Sequence, residues 1–423
     1  MLRIPRVWPL LLTLMLAAAT AWAADAPRPW PADAFLPVTE QRIALLPFDV
    51  QPAWQAYWEK TVARTKTLPV RDVGEHTPNK PMKGGPLGSS YSEGLRLDAP
   101  AAWYATEEAR LIADRVVSWQ TSMGGWTKSG KYSRNRQPAD DHRDAWSAGT
   151  YDNDATIFEL RYLVLVNAAA AESDGPRARA WRESFLRGLE YIFDSQYPNG
   201  GFPQVYPLIG WYHDAITYND DAFIHIVELL RDIGGCGSEF AFVPADQAAR
   251  ARHAVELGLH CLLASQLKSP DGRLSVWGQQ HDALTLQPCA ARNFEPVAEC
   301  SLESVELVKF LMSLPHPSPE VIAAIEGAMG WFERTTLHNF RWDRNDPAGT
   351  GLLPQAGAPD LWSRFYEIGT GKPIFSERDR MIHYDVSEMS FERRKGYNWF
   401  NTEPGTLFPL YARWKSTVLG GKN

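Results

Sequence analysis

The sequence predicts an all-α fold in which repeated helix pairs close on themselves into an α/α toroid. Three observations carry this. Helical stretches end in a glutamine at Gln120, Gln196 and Gln266, 76 and 70 residues apart, and a further 70 residues reaches Thr336 at the end of a fourth stretch. Stretches of helical apolar spacing lie between these ends. Strand signals are sparse. A fixed repeat of helical units indicates neighbours that bury one another's apolar faces, which no single unit can do alone.

The elements follow in chain order. Arg3 and Arg6 precede an apolar run from Val7 to Leu16, and small residues lead to Ala21-Trp22-Ala23. Residues 1–24 therefore read as a secretory signal peptide. The apolar run is shorter than the ~20 residues a membrane span needs. An exported protein, secreted or periplasmic and with no membrane partner, is expected. Losing the leader moves the formal net charge from −7 to −9, because two arginines leave with it. Such a chain is not built for nucleic acid, although a local cluster of arginines can still hold a polyanion. The four cysteines, Cys236, Cys261, Cys289 and Cys300, allow three pairings in an oxidising compartment, and bridging is left open. The 17 tryptophans supply both a large aromatic core and flat indole faces that suit the C–H faces of sugar rings.

Residues 25–100 are rich in proline and turns, including GEHTPNKPMKGGPLGSS, and read as an appended arm, linker or lid. Within it PAWQAYWEKTVART reads as a short helix. The toroid domain then spans residues 101–423. Its intervening helices are Ala155–Ala169, Asp221–Asp232 and Ser301–Leu314, with Ile157, Leu160, Tyr162, Leu163 and Leu165 at helical spacing in the first. The loops after the glutamines gather on one face, where a rigid scaffold usually carries its site.

Four loop segments are dense in polar groups: Gly124–Lys128, Thr150–Thr156, Tyr197–Asp221 and Trp277–Pro296. Asp154 and Asp220 stand where helix N-caps are expected. Asp152 and Asp214 lie further out, where a cap explains them less well. Oxygen-rich residues on adjacent loops suit a hard cation such as calcium, and since no EF-hand pattern is present the site would be assembled from separate loops. Arg292, Arg364 and Arg378 each have a bland reading as surface ion pairs.

Taken together, QTSMGGWTK, TYDNDAT, YPNGGFPQVYPL with YHDAITYNDD, WGQQHDALTLQPCAARNFEP and LWSRFYEIGTGKPIF resemble pectate lyases of polysaccharide lyase family 10, over roughly residues 101–414. The resemblance implies an (α/α)3-type toroid, acting as a monomer on polygalacturonate and oligogalacturonides. It implies calcium-assisted anti β-elimination that leaves 4,5-unsaturated oligogalacturonides. Arg292 matches the arginine that removes the C5 proton. A free guanidinium holds its proton to about pH 12 or above, so that role needs burial or a neighbouring cation. Asp152, Asn153 and Asp214 match the calcium-associated positions. Lys128, Asn153, Arg364 and Arg378 match substrate-binding positions, and Trp277 and His281 are expected to line the cleft. Phe202 and Ala215 depart from the family's tryptophan and histidine. Two rival readings are an inverting glycoside hydrolase using Asp152 and Asp214 as its carboxylate pair, and a noncatalytic periplasmic polysaccharide-binding protein.

Overall fold

Helices form wherever the sequence carries apolar residues at helical spacing. The computed structural model describes residues 26–31, 34–68, 95–128, 130–137, 148–171, 174–418 and 420. The signal-peptide reading and the GEHTPNKPMKGGPLGSS run fall outside them. In chain order the helices are α1 (Glu40–Ile43), α2 (Gln51–Thr67), α3 (Ala101–Tyr104), α4 (Glu107–Trp119), α5 (Ile157–Ala168) and α6 (Gly175–Ser195). Then come α7 (Ala222–Gly234), α8 (Ala245–Ser265), α9 (Ser301–Ser313), α10 (Pro319–Arg334), α11 (Phe391–Lys395) and α12 (Leu407–Val418). The three intervening helices expected from periodicity are α5, α7 and α9.

The helices pack in pairs and in two layers. Helices α5, α7 and α9 lie side by side, and α4, α6, α8 and α10 flank them outside. Composition explains the inner position. Helix α7 buries Phe223, Ile224, Ile226, Val227, Leu229 and Leu230, so apolar side chains cover more than half of its circumference. Outer helix α8 instead buries Ala248, Ala251, Ala254 and Gly258 along one stripe. This is the helical-toroid architecture the repeat predicts.

The repeated glutamines explain the repeat. Each is the C-cap of an outer helix, with ψ of 131°, 127° and 130° at Gln120, Gln196 and Gln266. Each side-chain amide donates twice, once to its own loop and once to the next outer helix. Gln120 Nε2 reaches the carbonyls of Gly124 (2.7 Å) and Ser184 (2.8 Å). Gln196 reaches Gly200 (3.1 Å) and Ala254 (2.9 Å). Gln266 reaches Ser275 (2.8 Å) and Ala324 (2.9 Å). Gly200, at φ +92°, lies so close to α8 that a Cβ would run into the Leu257 carbonyl oxygen, and only glycine adopts that conformation without strain.

A tryptophan serves each helix end in a similar way. The indole N–H of Trp126 donates to Val116 (2.8 Å), that of Trp277 to Leu262 (2.7 Å) and that of Trp362 to Phe332 (2.9 Å). Phe202 holds the corresponding place after Gln196 and has no N–H to give. There the Ser195 hydroxyl donates to the Ile192 carbonyl at 2.9 Å, so the substitution leaves no bare acceptor. Phe202 is fully buried, a packing residue.

Connections from inner to outer helices are short, whereas those from outer to inner helices are long. The long ones run over residues 120–156, 196–221, 266–300 and 335–406. Among the described residues they carry nearly all of five small antiparallel sheets of two or three strands. They also hold most of a second apolar core, with Phe294, Phe365, Phe375, Tyr397, Trp399 and Phe400. The described part of the arm packs on both cores. Arg28–Pro29 pairs with Met381–Ile382, Trp30 joins the second core, and Trp54 and Tyr57 of α2 join the first. The Tyr57 hydroxyl donates to the Ser195 carbonyl at 3.1 Å. All four cysteines are free thiols. No helix of the described residues is long and apolar enough to cross a membrane.

Replacing Gln266 by alanine strips a donor from two carbonyls at a buried position. The expected loss is about 1–3 kcal/mol of unfolding free energy, read from urea denaturation as a lower midpoint at unchanged slope.

Candidate active site

All the sequence-predicted site residues fall in the four long connections, and so at one end of the toroid. Two matching turns begin the floor. Asp152-Asn153-Asp154 and Asn219-Asp220-Asp221 are single 3-10 turns that lead into α5 and α7 and pack on one another. In both turns the last two residues are left-handed, with φ between 52° and 63°. Asn and Asp accept this conformation better than other non-glycine residues. The repeat thus puts Asn219 where the first turn has Asp152.

Asp152 is buried, and its carboxylate receives Lys128 Nζ (2.5 Å) and Gln204 Nε2 (3.3 Å). Asn153 is half-buried, and its side chain has no hydrogen-bond partner among the described residues. Asn219 Oδ1 accepts from Gln279 Nε2 and from Arg364 Nη2 (3.4 Å).

The arginines stand on aromatic rings and are held by carboxylates. Arg292 gives Glu295 two side-chain bonds, Nε–Oε2 at 2.8 Å and Nη2–Oε1 at 2.5 Å, and its backbone N–H adds a third at 2.9 Å. Tyr397 Oη donates to Glu295 Oε1 at 2.8 Å. Arg364 is buried, pairs with Glu303, and lies 4.8 Å from the Tyr397 ring centroid. Arg292, Arg378 and Arg393 surround the Phe294 ring at 5.1, 5.4 and 3.9 Å. Arg378 is half-exposed, with Glu392 at 3.1 Å.

These contacts fix the charge states. Burial opposes ionisation of Glu295, but Arg292 overrides it and brings the carboxyl down to about 2. Burial also works against the charge on Arg292, and there Glu295 overrides it, so the guanidinium is held well above its ordinary value. A guanidinium tied in this way is a firm cation in the free protein. Its side chain remains 41% exposed, so one edge faces solvent.

Three predicted residues stand elsewhere than expected. Trp277 is fully buried, because its indole closes the end of α8. His281 is fully buried too, its Nε2 accepting from the Gly278 N–H (2.9 Å) and its Nδ1 facing the Leu286 carbonyl (2.8 Å). Burial keeps that imidazole neutral, with its pKa lowered to about 4. Neither lines the cleft; both shape the loop that carries Arg292. Asp214 Oδ1 accepts from the N–H groups of Ile209 (3.2 Å) and Gly210 (2.8 Å), so this carboxylate is turned into its own loop. Burial raises its pKa to about 7.

Sequence reasoning missed Glu295, Glu303, Asn219 and Tyr397. For Asn219 a signal was present, since TYND repeats the pattern of TYDN one unit later. For Glu295 the spacing of three from Arg292 was a hint. Nothing in the local sequence marks Glu303 or Tyr397.

The family 10 polysaccharide lyase from Cellvibrio cellulosa is 31% identical, covering 74% of this chain and 96% of its own, with a TM-score of 0.63. A mutant of that enzyme in complex with trigalaturonic acid matches at 31% identity and TM-score 0.63, over 75% of this chain and 98% of its own. The comparison with curated proteins finds no match. The model of the family described as pectic acid lyase matches residues 120–408, and the chain belongs to that family. It is accordingly a pectate lyase, an enzyme that cuts its polysaccharide by elimination.

Asp214→Asn tests what that carboxyl does, because Asn keeps the Oδ1 acceptor. If its role lies only in the loop, activity stays within about threefold of wild type. The pH behaviour is a second readout. A carboxyl raised to about 7 in the folded state makes stability fall as pH rises from about 4 to about 7. The Asn variant should lose that segment of the stability–pH curve, measured by thermal melting.

Proposed function

We propose that the chain cleaves polygalacturonate by calcium-assisted anti β-elimination, with Arg292 receiving the C5 proton, and that it works outside the cytoplasm. The observation that carries the reading is the exposed Arg292 edge at the end of the toroid that also carries Lys128, Arg364 and Arg378, cations that suit the carboxylates of a polyuronate. The trigalaturonic acid complex of the Cellvibrio relative supports this substrate class. The signal-like leader supports export.

The C5 proton is acidic because it lies next to the uronate carboxylate. As it passes to Arg292, the C5–H electrons form the C4=C5 double bond. The C4–O4 bond breaks, and the departing oxygen takes a proton from water. Arg292 must be neutral at that moment. Arg378 offers a planar fork that binds a carboxylate bidentately, and the buried Arg364 adds positive charge behind it. The Arg378–Glu392 pair is exposed and therefore weak, so an incoming uronate displaces it readily.

The fit to calcium is a shared one. No group of three His, Cys, Asp or Glu among the described residues converges to hold a metal ion. Asp152 and the unpartnered Asn153 amide supply oxygens on one turn. Calcium takes six to eight oxygens, so these residues would hold it together with uronate carboxylates. There the ion would withdraw charge from the uronate group and stabilise the developing enolate. Lys128, which neutralises Asp152 in the free protein, is within reach of a substrate carboxylate once released. Asp214 joins this set only if its loop opens.

Two measurements test the reading. Polygalacturonate with calcium should yield a product absorbing in the ultraviolet, and a chelator should abolish it; no absorbance change would sink the elimination. Arg292→Ala should lower kcat by about 10²–10⁴ while trigalacturonate binding stays within about tenfold. Because the base is a guanidinium, kcat/KM should climb with pH from 7 towards 10.

A further inference from the structure

A cavity of about 330 Å3, lined by none of the site residues described above, lies between the hairpin of Phe340–Trp342 with Leu352–Pro354 and the segment at residues 398–402. We propose that it is a second binding site for a galacturonate unit of the polymer, with Arg344 and Arg341 taking the carboxylate and Trp342 the ring face. This rests on the polygalacturonate reading and extends it.

Charge is the first argument. Two arginines and no Asp or Glu line the cavity, in a chain with 50 acidic and 43 basic residues. Arg341 pairs with Asp343 at 3.0 Å. Arg344 has no hydrogen-bond or ion-pair partner among the described residues, so its charge is uncompensated. The nearby Asp346 is no partner, because its carboxylate is taken by Thr350, Gly351 and Ala348.

Unmet polar atoms are the second. Asn401 is only 7% exposed and lines the cavity. Its Nδ2 donates to Ser301 Oγ at 3.2 Å, which fixes the amide, while its Oδ1 is buried without a partner. Trp342 Nε1 is in the same state. An acceptor and a donor without partners, on two residues that line one cavity, suit a ligand with several hydroxyls. Phe340, Pro359 and the half-buried Trp342 supply apolar surface, and the volume lies at the lower end of the range for small-molecule sites, about 300–1,000 Å3.

Position is the third. Asn401 pairs with Trp362 in a two-stranded sheet, and the Arg364 N–H donates to the Trp399 carbonyl at 2.7 Å. The cavity and the cleft thus share one pair of strands. A polymer held at the cavity presents its other units to the cleft at raised effective concentration, which a short oligomer cannot do.

The test compares long polygalacturonate with trigalacturonate in Arg344→Glu. The expected result is a KM for polymer raised about three- to tenfold, with kcat and all trigalacturonate constants unchanged. An unchanged polymer KM overturns the proposal. So does an equal loss on both substrates in a variant whose melting temperature is unchanged, since the cavity would then belong to the cleft. Arg344→Gln serves as a milder second variant if Arg344→Glu fails to fold. Calorimetry with galacturonate itself, which offers no bond to cut, separates the two readings: Arg344→Glu should bind one galacturonate fewer than wild type. That result supports the cavity even if wild type makes no unsaturated product, and an equal stoichiometry in the two proteins counts against it.

Discussion

A glutamine side chain at the end of each of three outer helices is the constraint on which the rest of the structure depends. A helix end leaves its last carbonyls and the following loop without intrahelical partners. Here one amide ties the loop and also seizes a carbonyl of the next outer helix. The same group that stops a helix therefore sets the distance to its neighbour. Because every outer helix stops at the same end, every long connection leaves from that end. The site is the consequence: Asp152, Asn219, Arg292 and Arg364 come from four different connections and meet only because the four helix ends are in register.

Bringing basic side chains together from three of these loops raises a second problem, that of holding buried cations without substrate. Glu295 and Glu303 solve it. Both are almost wholly buried, and each faces an arginine. Glu295 is further fixed by Tyr397 and by the Arg292 backbone N–H, so its two oxygens are fully engaged. Removing such a carboxylate would leave a guanidinium in low dielectric, which is far costlier than the pair itself. Arg378 is different, since its pairing is at the surface. The array thus runs from a rigid interior, Arg364, to a displaceable rim, Arg378.

The helical ring was legible because it depends on short-range chemistry. Apolar spacing marks α5, α7 and α9, and a glutamine before a glycine-containing turn marks an outer helix end. The second core was not legible. Phe294, Phe365 and Trp399 lie in irregular segments, and their meeting depends on how the long loops fold over the ring. For the same reason Trp277 and His281 were expected in the cleft. Both sit in a polar loop among residues that do face it, and only the fold shows that an indole N–H is needed at the end of α8. Asp214 is a similar case. A carboxylate beyond a cap position looks free in sequence, but Gly210, with φ +84°, turns backbone N–H groups toward it. Arg292 and Arg364 were recognisable from their strings, whereas the acids that hold them were not.

The proposed reaction asks one group for two opposed properties. As a clamp, Arg292 benefits from its charge, and Glu295 secures that charge. As a base it must be neutral. An arriving polygalacturonate brings further carboxylates, and these alone would hold the guanidinium still more firmly protonated. A divalent cation held between Asp152, Asn153 and the uronate would reverse the sign of that effect. It would cancel the new negative charge and acidify C5 at once. Burial of Arg292 already works against its charge, and Glu295 is the main group that outweighs it. The dependence on calcium and the use of an arginine as base are, on this reading, a single requirement. Without the ion, the same geometry would bind its polyanion and stop there.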